Sequence, residues 1–209
     1  MKATDRAAFG QRQTAYRLLV ASSDRLLGKG QGDVWDSGWV DSDQAQQVSY
    51  AGATLRSDRT YYWKVQVKDE KGAVSAWSET ASWSTGLFTS GEWRAKWIGS
   101  NEQYDRRGID NNVQDPWFRK TFKLTRQPAK ATVFVASVGY HELYVNGERV
   151  GEEVLAPAAT DHTKRARYIA YDIADKLRPG TNVIGLWLGT SWSIFPPSST
   201  LLLRANLPP

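Results

Sequence analysis

The chain has 209 residues, 41% hydrophobic and 23% charged, with 10 Trp, 9 Tyr, 17 Gly and 8 Pro, a balance that excludes a disordered polymer and favours many short strands. The 27 Lys and Arg against 22 Asp and Glu give a net charge of +5, but the basic residues are scattered among acids without a long run, so nucleic acid is not an expected partner. The absence of Cys removes disulfides and thiolate metal sites.

No segment approaches the roughly 20 apolar residues needed to cross a bilayer, so no membrane partner is expected. The first twenty residues contain no signal-peptide core, which leaves cytoplasmic and exported locations equally open.

In chain order, residues 14–21 alternate as a first strand, with Tyr16, Leu18 and Val20 on one side. SSDRLLGKGQGD reads as a helical turn and loop, and VWDSGWV as a second strand interrupted at Gly38. The clearest period-two pattern is YYWKVQVK: Tyr61, Trp63, Val65 and Val67 are expected in a core, with Tyr62, Lys64, Gln66 and Lys68 facing out. A Tyr at the start of such a strand hydrogen-bonds back across a corner in immunoglobulin-type sandwiches, a role open to Tyr61 or Tyr62. SAWSETASWSTG closes this region.

The segment 86–101 reads as a junction, with Trp93 and Trp97 as its docking anchors. After the polar loop EQYDRRGIDNNVQD, strands resume with PWFRKTFKL, the apolar run ATVFVASVG, and the hairpin HELYVNGERVG around Asn146-Gly147, whose residues tolerate positive φ. RARYIAYDI is a strand, ADKLRPGTN a helical turn, VIGLWLG a buried strand, and LLLRANLPP the opening of one more. The fold class is all-β, two β-sandwiches in tandem: residues 1–90 fibronectin-III/immunoglobulin-like, and 91–209 a jelly roll incomplete at its C-terminus.

Chemistry is sparse. There is no phosphate loop, HExxH, GxSxG or paired CxxC. His141 and His162 are the only side chains that titrate near neutral pH without perturbation, and both read as locally bonded rather than catalytic. Glycosidic hydrolysis needs two carboxyl groups across a cleft. The adjacent Glu152 and Glu153 would face opposite sides if they lay in a strand and read as an exposed, charged turn, so no catalytic residue is assigned. Binding chemistry remains. Sugars rest on aromatic faces and are held by planar polar groups, which nominates Trp192 and Phe195 in GTSWSIFPP, with Asn146, Glu142, Asp161 and Arg165 as polar partners.

The runs TAYRLLVASS, GDVWDSGWVDSDQ, YYWKVQVKDEKGAVSAWSE, WSTGLF and WRAKWIG resemble the N-terminal fibronectin-like domain of bacterial α-L-rhamnosidases, glycoside hydrolase family 78. PWFRKTF, VGYHELYVNGERVGEEVLAPAATDHTKRARYIAYDI and LRPGTNVIGLWLG are similar to the N-terminal jelly roll of the same family. The resemblance implies an inverting hydrolase of terminal α-L-rhamnose whose carboxylates lie in an (α/α)6 barrel further along the family's chain. That catalytic domain is then the implied partner, together with a rhamnose-containing glycan, and the 209 residues alone are expected to be inactive.

No cofactor is required. Some family jelly rolls hold rhamnose through calcium bound by Asn and Asp, and Asn146 is the nearest matching position. Two loops depart from the family pattern: APAATDH lacks the usual Gly-Trp before TD, and GTSWSIFPP stands where Gly-Asn-Gly-Trp-Tyr is more usual. A free-standing carbohydrate-binding or adhesive protein is the alternative reading.

Overall fold

The computed structural model describes residues 10–99, 115–162 and 164–189. The chain divides into two compact units, Met1–Ala95 and Lys96–Pro209.

The first unit is organised around strand β1 (Gln13–Ala21), which pairs antiparallel with β4 (Thr60–Asp69) along nearly its whole length. On its other edge β1 pairs with β2 (Trp35–Asp36) and then β3 (Val40–Asp41), while β5 (Ala81–Ser84) extends the sheet beyond β4. The break between β2 and β3 falls at Gly38, whose φ of 60° is a left-handed conformation that glycine adopts without a Cβ clash. The two-atom contact of Arg17 with Asp36, at 2.9 and 2.6 Å, ties β1 to β2.

Tyr61 is the corner tyrosine: it is buried, and its hydroxyl accepts a hydrogen bond from the Arg56 amide at 2.9 Å. The face expected to meet solvent is partly covered. A short helix α1 (Asp24–Gly28), capped by the Ser23 side chain, places Leu27 over Leu19 and Ala21, with Tyr62 and Trp77 packed against them. Lys64 is buried on the same face, its ammonium 4.9 Å from the centre of the Trp77 ring. An alternating pattern assigns residues to two sides of a strand without saying which sides are covered, and here both are.

The second unit is a sandwich. Its larger sheet has the order β6-β11-β8-β9, built from β6 (Trp117–Leu124), β11 (Gly180–Gly189), β8 (Tyr140–Val145) and β9 (Glu148–Val150), all antiparallel. The smaller pairs β7 (Thr132–Ala136) with β10 (Tyr168–Asp172). Between them lies a core of Leu143 and Val145 from β8, Val135 from β7, Tyr171 from β10, and Val150, Ile173 and Leu177, with Phe122, Ile184 and Leu186 packed against it. Inward residues are two apart on each strand, so Leu186 and Ile184 point to the core while Gly185 and Trp187 point away.

Asn146 and Gly147 make the β8–β9 turn with φ of 53° and 90°, the two positive values that a two-residue type I′ hairpin needs. A 3₁₀ turn, Ala174–Lys176, precedes β11.

Two expectations need adjustment. β11 is not buried throughout, since Trp187 is exposed on the outer face. Trp97 does not dock: it is 63% exposed, in a stretch at 93–99 that has no regular structure. Glu152 and Glu153 lie outside any strand and are exposed, as expected of a charged turn. The additional strand expected in 201–209 lies outside the described residues.

Candidate functional site

The outer face of the larger sheet carries a row of aromatic rings. Trp117 on β6 and Trp187 on β11 are directly opposed, and their indoles stack at a centroid distance of 4.8 Å and an interplanar angle of 15°. Trp117 also meets Tyr144 at 5.5 Å. Yet Tyr144 sits on β8, two strands from β6, a backbone separation of about 9.6 Å at the usual strand spacing. The ring of Trp117 therefore reaches across β11, and it crosses on the side of Gly185, which is paired with Tyr144 and brings no side chain. The indoles of Trp117 and Trp187 remain 58% and 38% exposed, an unusual state for large apolar rings that have neighbours to pack on.

A polar edge borders this row. Glu142 is opposite Trp187 in the register, and Arg149 of β9 is opposite Tyr144. The Tyr144 hydroxyl donates to Glu142 Oε2 at 2.6 Å, and the other carboxylate oxygen lies 3.4 Å from the Arg149 guanidinium. That hydrogen bond to a carboxylate is the main cause that holds the Tyr144 phenol above its ordinary pKa. Arg149 is fixed from behind by donating to the Glu153 carbonyl at 2.6 Å. Both charged groups stay about one-third exposed, so each keeps hydrogen-bonding capacity toward a ligand.

Of the residues nominated from sequence, Glu142 belongs to this face. The Asn146 amide is bonded inside the fold. Its Nδ2 donates to the Lys176 carbonyl and to Asn182 Oδ1 at 2.8 and 2.9 Å, and its Oδ1 accepts from the Val183 amide at 2.9 Å. Asn182 is fully buried and in turn binds the backbone of Arg178 and Gly180. The Asn146–Asn182 pair thus pins the hairpin to the loop before β11.

Asp161 and Arg165 share a tight turn in which the Asp161 carbonyl accepts the amides of Lys164 and Arg165 at 3.0 Å, and the Asp161 carboxylate meets the Lys164 ammonium at 3.2 Å. Trp192 and Phe195 lie outside the described residues. Among the described residues no three His, Asp or Glu side chains converge as a metal site.

His141 points into the core. Its Nδ1 is 2.8 Å from Ser137 Oγ and its Nε2 is 3.1 Å from the Tyr171 hydroxyl, with all three residues buried. Burial pushes the imidazole pKa down, against a smaller upward pull from Glu153. A serine beside a histidine can serve as a nucleophile and base only where substrate reaches it; here the array ties β8 to β10. His162 Nδ1 lies 3.4 Å from Thr160 Oγ1.

Trp117, Tyr144 and Trp187 were not nominated from sequence. They are far apart in the chain, and only the antiparallel register of three strands makes them neighbours. The available signal was the pair of tryptophans inside otherwise aliphatic or basic strands, PWFRK and GLWLG.

The two units correspond to two family descriptions. Residues 3–89 match the Rha78A-like, N-terminal immunoglobulin domain, and residues 126–196 match the alpha-L-rhamnosidase N-terminal domain, in that order. The chain carries, in order, the two N-terminal domains of α-L-rhamnosidases. An α-L-rhamnosidase of Formosa agariphila is 36% identical over 88% of the chain, and one of Streptomyces avermitilis is 33% identical over 86%. The chain spans 21% and 18% of those two proteins, about a fifth of their length. In three dimensions it is similar to the α-L-rhamnosidase from Dictyoglumus thermophilum, with a TM-score of 0.79 and 37% identity, over 88% of this chain and 22% of that one. In the rhamnosidase N-terminal pair the aromatic row lies on the second domain: Tyr144, Arg149 and Trp187 fall inside the matched segment, while Trp117 precedes it.

Proposed function

We propose that this chain is a non-catalytic accessory region of an α-L-rhamnosidase. In this reading a catalytic domain of the same polypeptide removes terminal α-L-rhamnose from glycosides or polysaccharides, while the two sandwiches brace that domain and offer it a carbohydrate-binding surface. The observation that carries the reading is the ordered match of both units to rhamnosidase N-terminal domains across a fifth of the relatives' length. The exposed aromatic row with its carboxylate and guanidinium supports the binding part of it.

The purified 209-residue chain is expected to release no nitrophenol from p-nitrophenyl α-L-rhamnopyranoside. Turnover at a rate typical of enzymes, roughly 1 per second or more, would replace the accessory role with a catalytic one. Calorimetric titration with L-rhamnose, with and without calcium chloride, tests carbohydrate binding and any role for the ion.

A further inference from the structure

We infer that the outer face of the β6-β11-β8-β9 sheet is a metal-independent binding site for a pyranoside, with Trp187, Trp117 and Tyr144 as the stacking platform and Glu142 and Arg149 as hydroxyl partners. The inference rests on the accessory, carbohydrate-binding reading given above and assigns that binding to one surface.

Three features distinguish this face from an ordinary sheet exterior. First, the two tryptophans are stacked on each other and both still reach solvent. Water is a poor neighbour for such rings, and a sugar's axial C–H bonds are a good one, because the ring face is negative and those hydrogens are slightly positive.

Second, glycines stand on the outward side of β11 two residues before and two after Trp187. A Cβ at Gly185 would come 3.6 Å from the Tyr144 Cβ, and one at Gly189 would come 3.5 Å from the Tyr140 Cβ, so ordinary side chains would fit sterically. At Gly185 the missing side chain makes room for the Trp117 ring, and at Gly189 the face stays low beside Trp187, leaving space at the level where a sugar ring would lie.

Third, the polar groups are held in place before any ligand arrives. Tyr144 and Arg149 grip opposite oxygens of Glu142, and Arg149 is itself tethered through the Glu153 carbonyl. Preorganised donors and acceptors beside an apolar platform are what a neutral polyol requires. A 6-deoxyhexose such as L-rhamnose adds a methyl group that extends its apolar side. None of these contacts calls for a cation.

The test is saturation-transfer NMR on the full 209-residue chain with millimolar methyl α-L-rhamnopyranoside, with and without EDTA. Transfer is expected, strongest to the sugar's C–H and methyl protons, and unchanged by the chelator. Trp187→Ala and Trp117→Ala should weaken affinity about tenfold or more, the order expected for losing an aromatic stacking partner. Glu142→Gln should weaken it by less, and Trp187→Tyr should restore most of the signal. Because both tryptophans are exposed, unchanged melting of the Ala variants separates lost binding from lost folding; should Trp117→Ala fail to fold, the Trp187 pair of variants decides.

If the rhamnoside binds but ignores these substitutions, or binds only when calcium is present, the site assignment is overturned while the carbohydrate-binding reading survives. If nothing binds, both fall, and the aromatic row becomes a protein-contact surface within the bracing role.

Discussion

A buried histidine whose two nitrogens are both bonded to neutral hydroxyls makes folding sensitive to mild acid, and His141 is in that position. Ser137 and Tyr171 satisfy its two nitrogens as a neutral ring, burial disfavours the imidazolium, and the Glu153 charge offsets this only in part. The folded-state pKa is therefore below the ordinary value of 6.5. Above pH 6.5 neither state is protonated there and the full stability is present. As pH falls below 6.5 the unfolded chain takes up the proton first, so stability declines until the folded-state pKa is passed. The melting temperature of the second unit should drop between pH 7 and pH 5, and His141→Gln should flatten that slope; an equal slope in the variant would remove His141 as its source.

The carboxylates of Asp36, held below its ordinary pKa chiefly by Arg17, and of Glu92, held down chiefly by Ser57, act in the opposite range. Their contribution is complete above their unfolded pKa values near 4 and is lost below them, so they do not distort the measurement. At this scale the sequence was partly legible. The corner tyrosine could be narrowed to Tyr61 or Tyr62 from strand position and hydroxyl, and the bond from the Arg56 amide assigns it to Tyr61. The burial of His141 could not be read, because it depends on Tyr171 arriving from β10, thirty residues away.

Among the elements, the β8–β9 hairpin was the most legible, since Asn-Gly supplies both positive φ values locally. What could not be read was the use of the Asn146 side chain. A type I′ turn leaves its amide free to face solvent or a ligand, and only the fold shows it bonded to Lys176, Asn182 and Val183. The hairpin is thus specified twice, by backbone conformation and by an amide network. The two contributions can be separated. At Gly147 a Cβ would meet nothing within 4 Å, so Gly147→Ala should cost only the left-handed backbone penalty of about 1–2 kcal/mol. Asn146→Ala adds the loss of three hydrogen bonds and leaves the buried Asn182 with one partner fewer, so it should cost about 1–3 kcal/mol more. Urea denaturation would measure both, and equal losses would mean that the amide network contributes nothing. The same limit explains the aromatic row. Period-two patterning gives Trp117 and Trp187 a side of their strands, whereas their contact requires β6, β11 and β8 to be neighbours.

For the molecule as a whole, the described cores are separate sets. Leu19, Ala21 and Leu27 with Tyr62 and Trp77 belong to residues 10–95, and the cluster around Leu143 and Val145 belongs to residues 115–189. Tandem all-β architecture was therefore readable from strand patterning, because each segment carries enough alternating apolar residues to cover its own sheets. The consequence concerns cooperativity. Leu143 is fully buried between β7, β10 and β11, and Leu143→Ala should cost about 2–5 kcal/mol through lost burial and the cavity left behind. If each core sustains its own unit, amide hydrogen exchange in the variant should accelerate in β6, β8 and β11, while β1 and β4 keep the protection they have in the parent chain. Exchange that accelerates equally in β1 and β4 would mean that the two sandwiches unfold as one, and that the first depends on the second for its stability despite a complete core of its own.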